Sequence, residues 1–210
     1  MLASISPLGE RARSSRWVVT AVAYLAGSLV GGGAVGALFA ALGSLLPRAW
    51  RTSPAAAAVV GVLLLVGLLL DRGVLGLRLP TWRRQVDEAW LGRYRGWVYG
   101  VGFGAQLGFG VVTIVTSATV YAMALLCAFS GDLRVGLLLG TVFGAVRALP
   151  VLGMARAADR SSLHRAFRRL DRWGPAADRL AQLSLAAAGA ALVGVALADA
   201  ARMSVLTGGG

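Results

Sequence analysis

The stretch WVYGVGFGAQLGFGVVTIVTSATVYAMALLCAF, residues 97–129, runs for 33 residues without an Asp, Glu, Lys, Arg or His. As a helix rising 1.5 Å per residue it is longer than the roughly 30 Å of hydrocarbon in a bilayer. Four further apolar runs cover residues 17–46, 54–76, 133–153 and 180–200. Hydrophobic residues make up 57% of the 210 and charged residues 14%, and the mean hydropathy is +0.72. Soluble domains average about 45–50% and about 25%, so the apolar surplus has to face lipid. Within lipid every backbone polar group needs an internal partner, and at this spacing only helices supply it. The predicted fold is therefore all-α: a polytopic helical membrane protein with five transmembrane helices, or six if the first and third runs each cross twice.

The predicted organisation is a basic N-terminus at 1–16, one transmembrane domain at 17–203, and a flexible tail at 204–210. The first run is read as retained rather than as a signal peptide, because its apolar part far exceeds the 7–15 residues of such a leader. Gly31-Gly32-Gly33 marks it as bent. Two polar stretches between the runs read as amphipathic helices lying at the membrane interface. In 81–96, Trp82, Val86 and Trp90 oppose Arg83, Arg84, Asp87 and Glu88; in 155–179, Leu163, Phe167 and Leu170 oppose Arg165, Arg168, Arg169 and Arg172. Such segments suit a headgroup region and an anionic leaflet.

All 21 basic residues are Arg, and the net charge is +12. In a membrane protein this basicity belongs to short cytoplasmic connections, so no nucleic-acid partner is expected. Under five spans, fifteen Arg fall in the N-terminus and the stretches 77–96 and 154–179, against four on the other side (Arg48, Arg51, Arg134 and Arg202). The N-terminus is thus expected in the cytoplasm of a bacterial cell whose plasma membrane holds the chain. The expected contacts are the anionic cytoplasmic leaflet and a second copy or another membrane protein.

Weak internal duplication is also legible. Trp17-Val18-Val19 matches Trp97-Val98-Tyr99, and Val60-Gly61-Val62-Leu63-Leu64 matches Val135-Gly136-Leu137-Leu138-Leu139. The order of long span, shorter span and amphipathic segment then occurs twice.

Three groups of residues carry the functional expectations. Gly100, Gly104 and Gly108, and likewise Gly136, Gly140 and Gly144, recur every fourth residue, a spacing that lets helix backbones approach closely in lipid. Gln106, Thr113, Ser117 and Tyr121 fall near one face of the third run, with Thr116 beside them, and form a polar track that either lines a pathway or bonds to neighbouring helices. Asp71, Arg72 and Arg147 are charges inside or at the edge of the apolar runs, where ionised groups are costly and tend to serve function. One histidine, His164, and one cysteine, Cys127, leave no metal centre and no nucleophile–base–orienter set, so no catalytic residue, metal or cofactor is expected and the chain reads as a non-enzyme.

The run Gly100-Val101-Gly102-Phe103-Gly104-Ala105-Gln106-Leu107-Gly108-Phe109-Gly110, with the chain length and the two long glycine-interrupted spans, resembles the small transmembrane proteins of the cytochrome c biogenesis and thiol-disulfide interchange group, within the LysE-type exporters. The likeness covers roughly residues 17–153. It implies a helical bundle with duplicated halves that moves electrons or small solutes. Electron-carrying members use a cysteine in each half, whereas here the first half has none and the second only Cys127, so the redox role does not carry over. Two functions remain: a small-solute transporter or exporter using the polar track, and a non-transporting subunit or scaffold that holds a partner through glycine-rich helix faces and basic amphipathic segments.

Overall fold

The structure, a computed structural model, describes residues 5–74, 93–110 and 117–207, and all its regular elements among these are helices. They are α1 (Pro7–Ala12), α2 (Trp17–Ser44), α3 (Arg48–Arg51), α4 (Pro54–Asp71), α5 (Gly96–Phe109), α6 (Thr119–Ser130), α7 (Leu133–Gly153) and α8 (Arg160–Thr207). Local signals set several boundaries. Ser6 and Ser53 each cap a helix that opens with proline, their hydroxyls accepting from the N–H of Gly9 and Ala56. Gly131, in the left-handed conformation at φ 54°, closes α6, and the Asp132 carboxylate then accepts from the N–H groups of Arg134 and Val135 to start α7.

α2 is the axis of the bundle. Along one side it runs parallel to α5, with Gly100, Gly104 and Gly108 set against Thr20, Tyr24 and Ser28. On another side it runs antiparallel to α7, where Gly32 meets Gly140 and Gly36 meets Gly136. Its far end, Gly43, meets Ala128 of α6. α5 lies along the first half of α2 and α6 along the second, both in its direction. α4 packs antiparallel to α8, Gly61 against Gly189 and Leu65 against the same glycine. Among the described residues four helices, α2, α4, α7 and α8, are long and apolar enough to cross a membrane, and the shorter α5 and α6 lie one after the other along α2.

Burial is distributed as lipid demands. α2 turns Thr20, Tyr24, Gly27, Ser28, Gly32 and Gly36 inward, and exposes Val18, Val22, Val30, Leu38 and Leu42. Without a hydrophobic force between helices in a membrane, close packing of small residues holds them. The α2–α5 contact is reciprocal: Gly104 sits on the carbonyl of Tyr24 as Gly27 sits on that of Val101, and Gly108 on that of Ser28 as Gly31 on that of Ala105. That places GSLVGGG at 27–33 over GAQLGFG at 104–110, an offset of 77 residues rather than the 80 suggested by the matched tryptophans.

Two expectations are corrected. The first span is not interrupted at its three glycines; α2 is one continuous helix, and neighbours on two sides fill the space those glycines leave. The break falls instead in the third span, after Gly110 at φ 65°. The basic amphipathic stretch is not a separate element, since α8 continues through Gly174 and Pro175 into the last span. The other amphipathic stretch, 81–96, lies outside the described residues up to 92.

Candidate functional site at the break in the third span

α5 ends at Gly110 and α6 begins at Thr119. The two ends stay close: a side chain at Gly110 would lie 3.2 Å from Val120. Gly108, one half-turn earlier, packs between Ser28 and Gly32, so the break stands near the level of Gly32, about half-way along α2. Gly110 itself, at φ 65°, is non-helical backbone at this depth, which is tolerated only where protein or a water-filled cavity surrounds it.

The first turn of α6 has its partner on α4. One Asp71 oxygen accepts from the backbone N–H of Ala118 at 2.7 Å, and the other from the Ser117 hydroxyl at 2.8 Å. Ser117 in turn accepts from the N–H and hydroxyl of Thr119, both at 3.2 Å. A carboxylate from one helix thus sits on the N-terminal end of another, where the helix dipole favours negative charge. Two grooves flank this turn. One, of about 230 Å³, lies between α4 and α6 beside Gly67, Leu70, Ala118 and Tyr121. The other, of about 370 Å³, touches Thr119, Met123, Phe143 and Ser184.

Phe143 of α7 closes the break from the opposite side, 3.1 Å from where a Gly110 side chain would begin. The Arg147 guanidinium lies 5.4 Å from the centre of its ring, a cation–π distance. Asp71 thus meets the start of α6, and Arg147 stands beside Phe143, which faces Gly110. Arg72, one residue beyond the end of α4, is exposed and donates to Gln182 at 3.4 Å.

Of the sequence-derived track, Ser117 is drawn to Asp71, Tyr121 follows one turn later on α6, and Gln106 is half-buried on α5. Thr113 and Thr116 lie outside the described residues. The two glycine series, Gly100, Gly104, Gly108 and Gly136, Gly140, Gly144, face α2 within the chain, so these faces are already filled and are not free for another protein. Cys127 is buried on α6. Among the described residues no group of three or more His, Cys, Asp or Glu side chains is placed to hold a metal.

Sequence reasoning missed a second cluster, at the arginine-rich end. Glu10 of α1 is fully buried. Its carboxylate accepts from Tyr99 at 2.6 and 2.7 Å, Thr20 at 2.9 Å and Arg13 at 2.8 Å. The Trp17 indole donates to the Ile5 carbonyl at 2.9 Å, and the Leu8 N–H to that of Ala157 at 3.1 Å. α1 is thereby fastened over the ends of α2, α5 and α7, with Ile5 packed among Tyr24, Phe103 and Val151. The available signal was Ser6-Pro7, a helix start, followed by one acid among several arginines. Glu10→Ala leaves three donors facing an empty acceptor, and removing one partner of a buried charge pair costs about 3–5 kcal/mol. Because Arg13 is 26% exposed, a loss of about 3 kcal/mol is expected, read as a lower melting temperature and faster proteolysis before Trp17. Unchanged values for both would refute this role for Glu10.

These features define a polytopic helical membrane protein, with four helices among the described residues long and apolar enough to span the bilayer. Against known proteins, the chain is 32% identical over 143 residues to the methylamine utilization protein MauF of Methylophilus methylotrophus, a match covering 65% of this chain and 48% of that protein. The chain thus spans about half the length of this curated relative. No family model matches, and no solved structure matches.

Proposed function

We propose that this chain is a small-solute transporter or exporter, a non-enzyme, whose solute passes the break between α5 and α6. The observation that carries this reading is the Asp71 carboxylate bound to the start of α6 beside Ser117, at the depth of the middle of α2. Discontinuous helices with free ends near the midplane are the usual frame for solute and ion sites in transporters, and an ionisable group at that depth is functional by default. The likeness to LysE-type exporters points the same way. A carboxylate selects solutes with an ammonium group or several hydrogen-bond donors. MauF's name supplies the first probe, methylammonium, and its larger primary-amine homologues come next.

In this reading the arginine-rich end, which joins the N-terminus to the α7–α8 connection, faces the cytoplasm of a bacterial plasma membrane. The test is flux: purified protein in liposomes should take up labelled amine faster than empty liposomes, with saturation and competition by a second amine. Flux equal to that of empty liposomes across a panel of ammonium-bearing solutes overturns the proposal and favours a subunit that serves another membrane protein.

A further inference from the structure

We propose that the groove where α7 gives way to α8 binds the phosphodiester headgroup of an anionic phospholipid. The groove encloses about 610 Å³ and is lined by Leu152, Gly153, Arg156, Ser162, Arg165 and Arg169. Arg165 and Arg169 stand one turn apart on α8, with Ser162 on the preceding turn of the same face. Arg156 reaches in from the connection. Three guanidinium forks around one hollow suit a phosphate, which arginine grips through paired hydrogen bonds, while the Ser162 hydroxyl at its edge is held by the Asp159 backbone.

The local acid attracts Arg165 through charge but is not ion-paired with any of the three among the described residues. Asp159, between Arg156 and Arg165 in the chain, is spent on its own turn: it accepts from the Ser162 N–H at 2.7 Å and the Ser161 hydroxyl at 2.8 Å. Those bonds, with the Ser162 side chain, hold its carboxyl down at about 2. Among the described residues none of Arg156, Arg165 and Arg169 forms an ion pair. Arg165 makes one hydrogen bond, to Ser161 at 3.1 Å.

What selects a lipid over a soluble anion is the wall of the groove. Leu152 is 44% exposed, and from it Leu149, Val146 and Val142 continue along α7, each more than half exposed. Their spacing puts them on one helical face. A chain-bearing molecule whose phosphate sits among the arginines therefore has an apolar track for its acyl chain, while inorganic phosphate gains nothing from it.

The full chain in neutral detergent should bind dihexanoyl-phosphatidylglycerol more tightly than dihexanoyl-phosphatidylcholine, and far more tightly than inorganic phosphate, by titration calorimetry. The double variant Arg165→Gln with Arg169→Gln should weaken that binding at least about tenfold. Arg165→Lys, which keeps the charge but loses the fork, should weaken it less, and Arg202→Gln should leave it unchanged. Melting temperatures separate lost binding from lost fold. Unaltered binding by a folded double variant, equal binding of the two lipids, or equal binding of inorganic phosphate would each overturn the proposal.

Discussion

Gly32→Leu is expected to destroy the bundle. A side chain at Gly32 would be driven into the Gly140 carbonyl and within 3.1 Å of the Gly144 Cα, and the obstacle is backbone rather than a side chain that could rotate away. One turn on, Gly36 and Gly136 are in the same relation, so relief at one level means parting α2 from α7 at both. Overpacking usually costs about 1–3 kcal/mol even where side chains can adjust. With two backbones in contact, a loss of about 3 kcal/mol or more is expected, together with the buried Ser28 bond to the Gly144 carbonyl, 2.8 Å. Gly194→Leu on α8 is the control, since nothing lies within 4 Å of that position. Thermal unfolding in detergent should show Gly194→Leu near the parent and Gly32→Leu largely unfolded. Equal melting temperatures would contradict glycine-mediated packing of α2 on α7.

Asp71→Asn should separate the two roles that the carboxylate fills. The amide keeps an oxygen for the Ala118 N–H, so α6 stays capped and the fold survives with a small loss, about 1 kcal/mol. The negative charge is gone, and with it the attraction for an ammonium group. A hydrogen bond to a charged group contributes about 1.5–3 kcal/mol, so amine flux should fall about tenfold to a hundredfold. Asp71→Leu removes both functions and should lower the melting temperature as well. Full flux in Asp71→Asn with loss only in Asp71→Leu would make Asp71 a helix cap and nothing more.

The membrane class was legible because composition and run length leave an apolar surplus nowhere else to go, and the four long apolar helices fall on runs that the sequence marks. The break was legible less well. Both long spans carry glycines, and periodicity alone does not say which glycines meet a neighbour's carbonyl and which end a helix. In α2 the neighbours α5 and α7 decide the matter, and at Gly110 a positive φ does. Asp71 and Ser117 were each singled out but not joined, since 46 residues separate them and only the antiparallel pairing of α4 with α6 brings them together. Glu10 escaped because a short N-terminal segment rich in arginine reads as solvated until the ends of α2 and α5 are seen to enclose it. The split at 180 failed for a local reason: proline removes one helix bond, and here the helix continues on both sides of Pro175.

Water access to the break is the most direct test of transport. In a Cys127→Ala background, Ser117→Cys is treated with a membrane-impermeant maleimide in vesicles of either orientation, with Ser53→Cys, at a helix start outside the apolar run, as the reactive control. Rapid labelling of position 117, slowed by methylammonium or whichever amine is carried, is the predicted result. A silent position 117 beside a labelled position 53, in both vesicle orientations, would mean a dry, sealed break and would contradict the pathway.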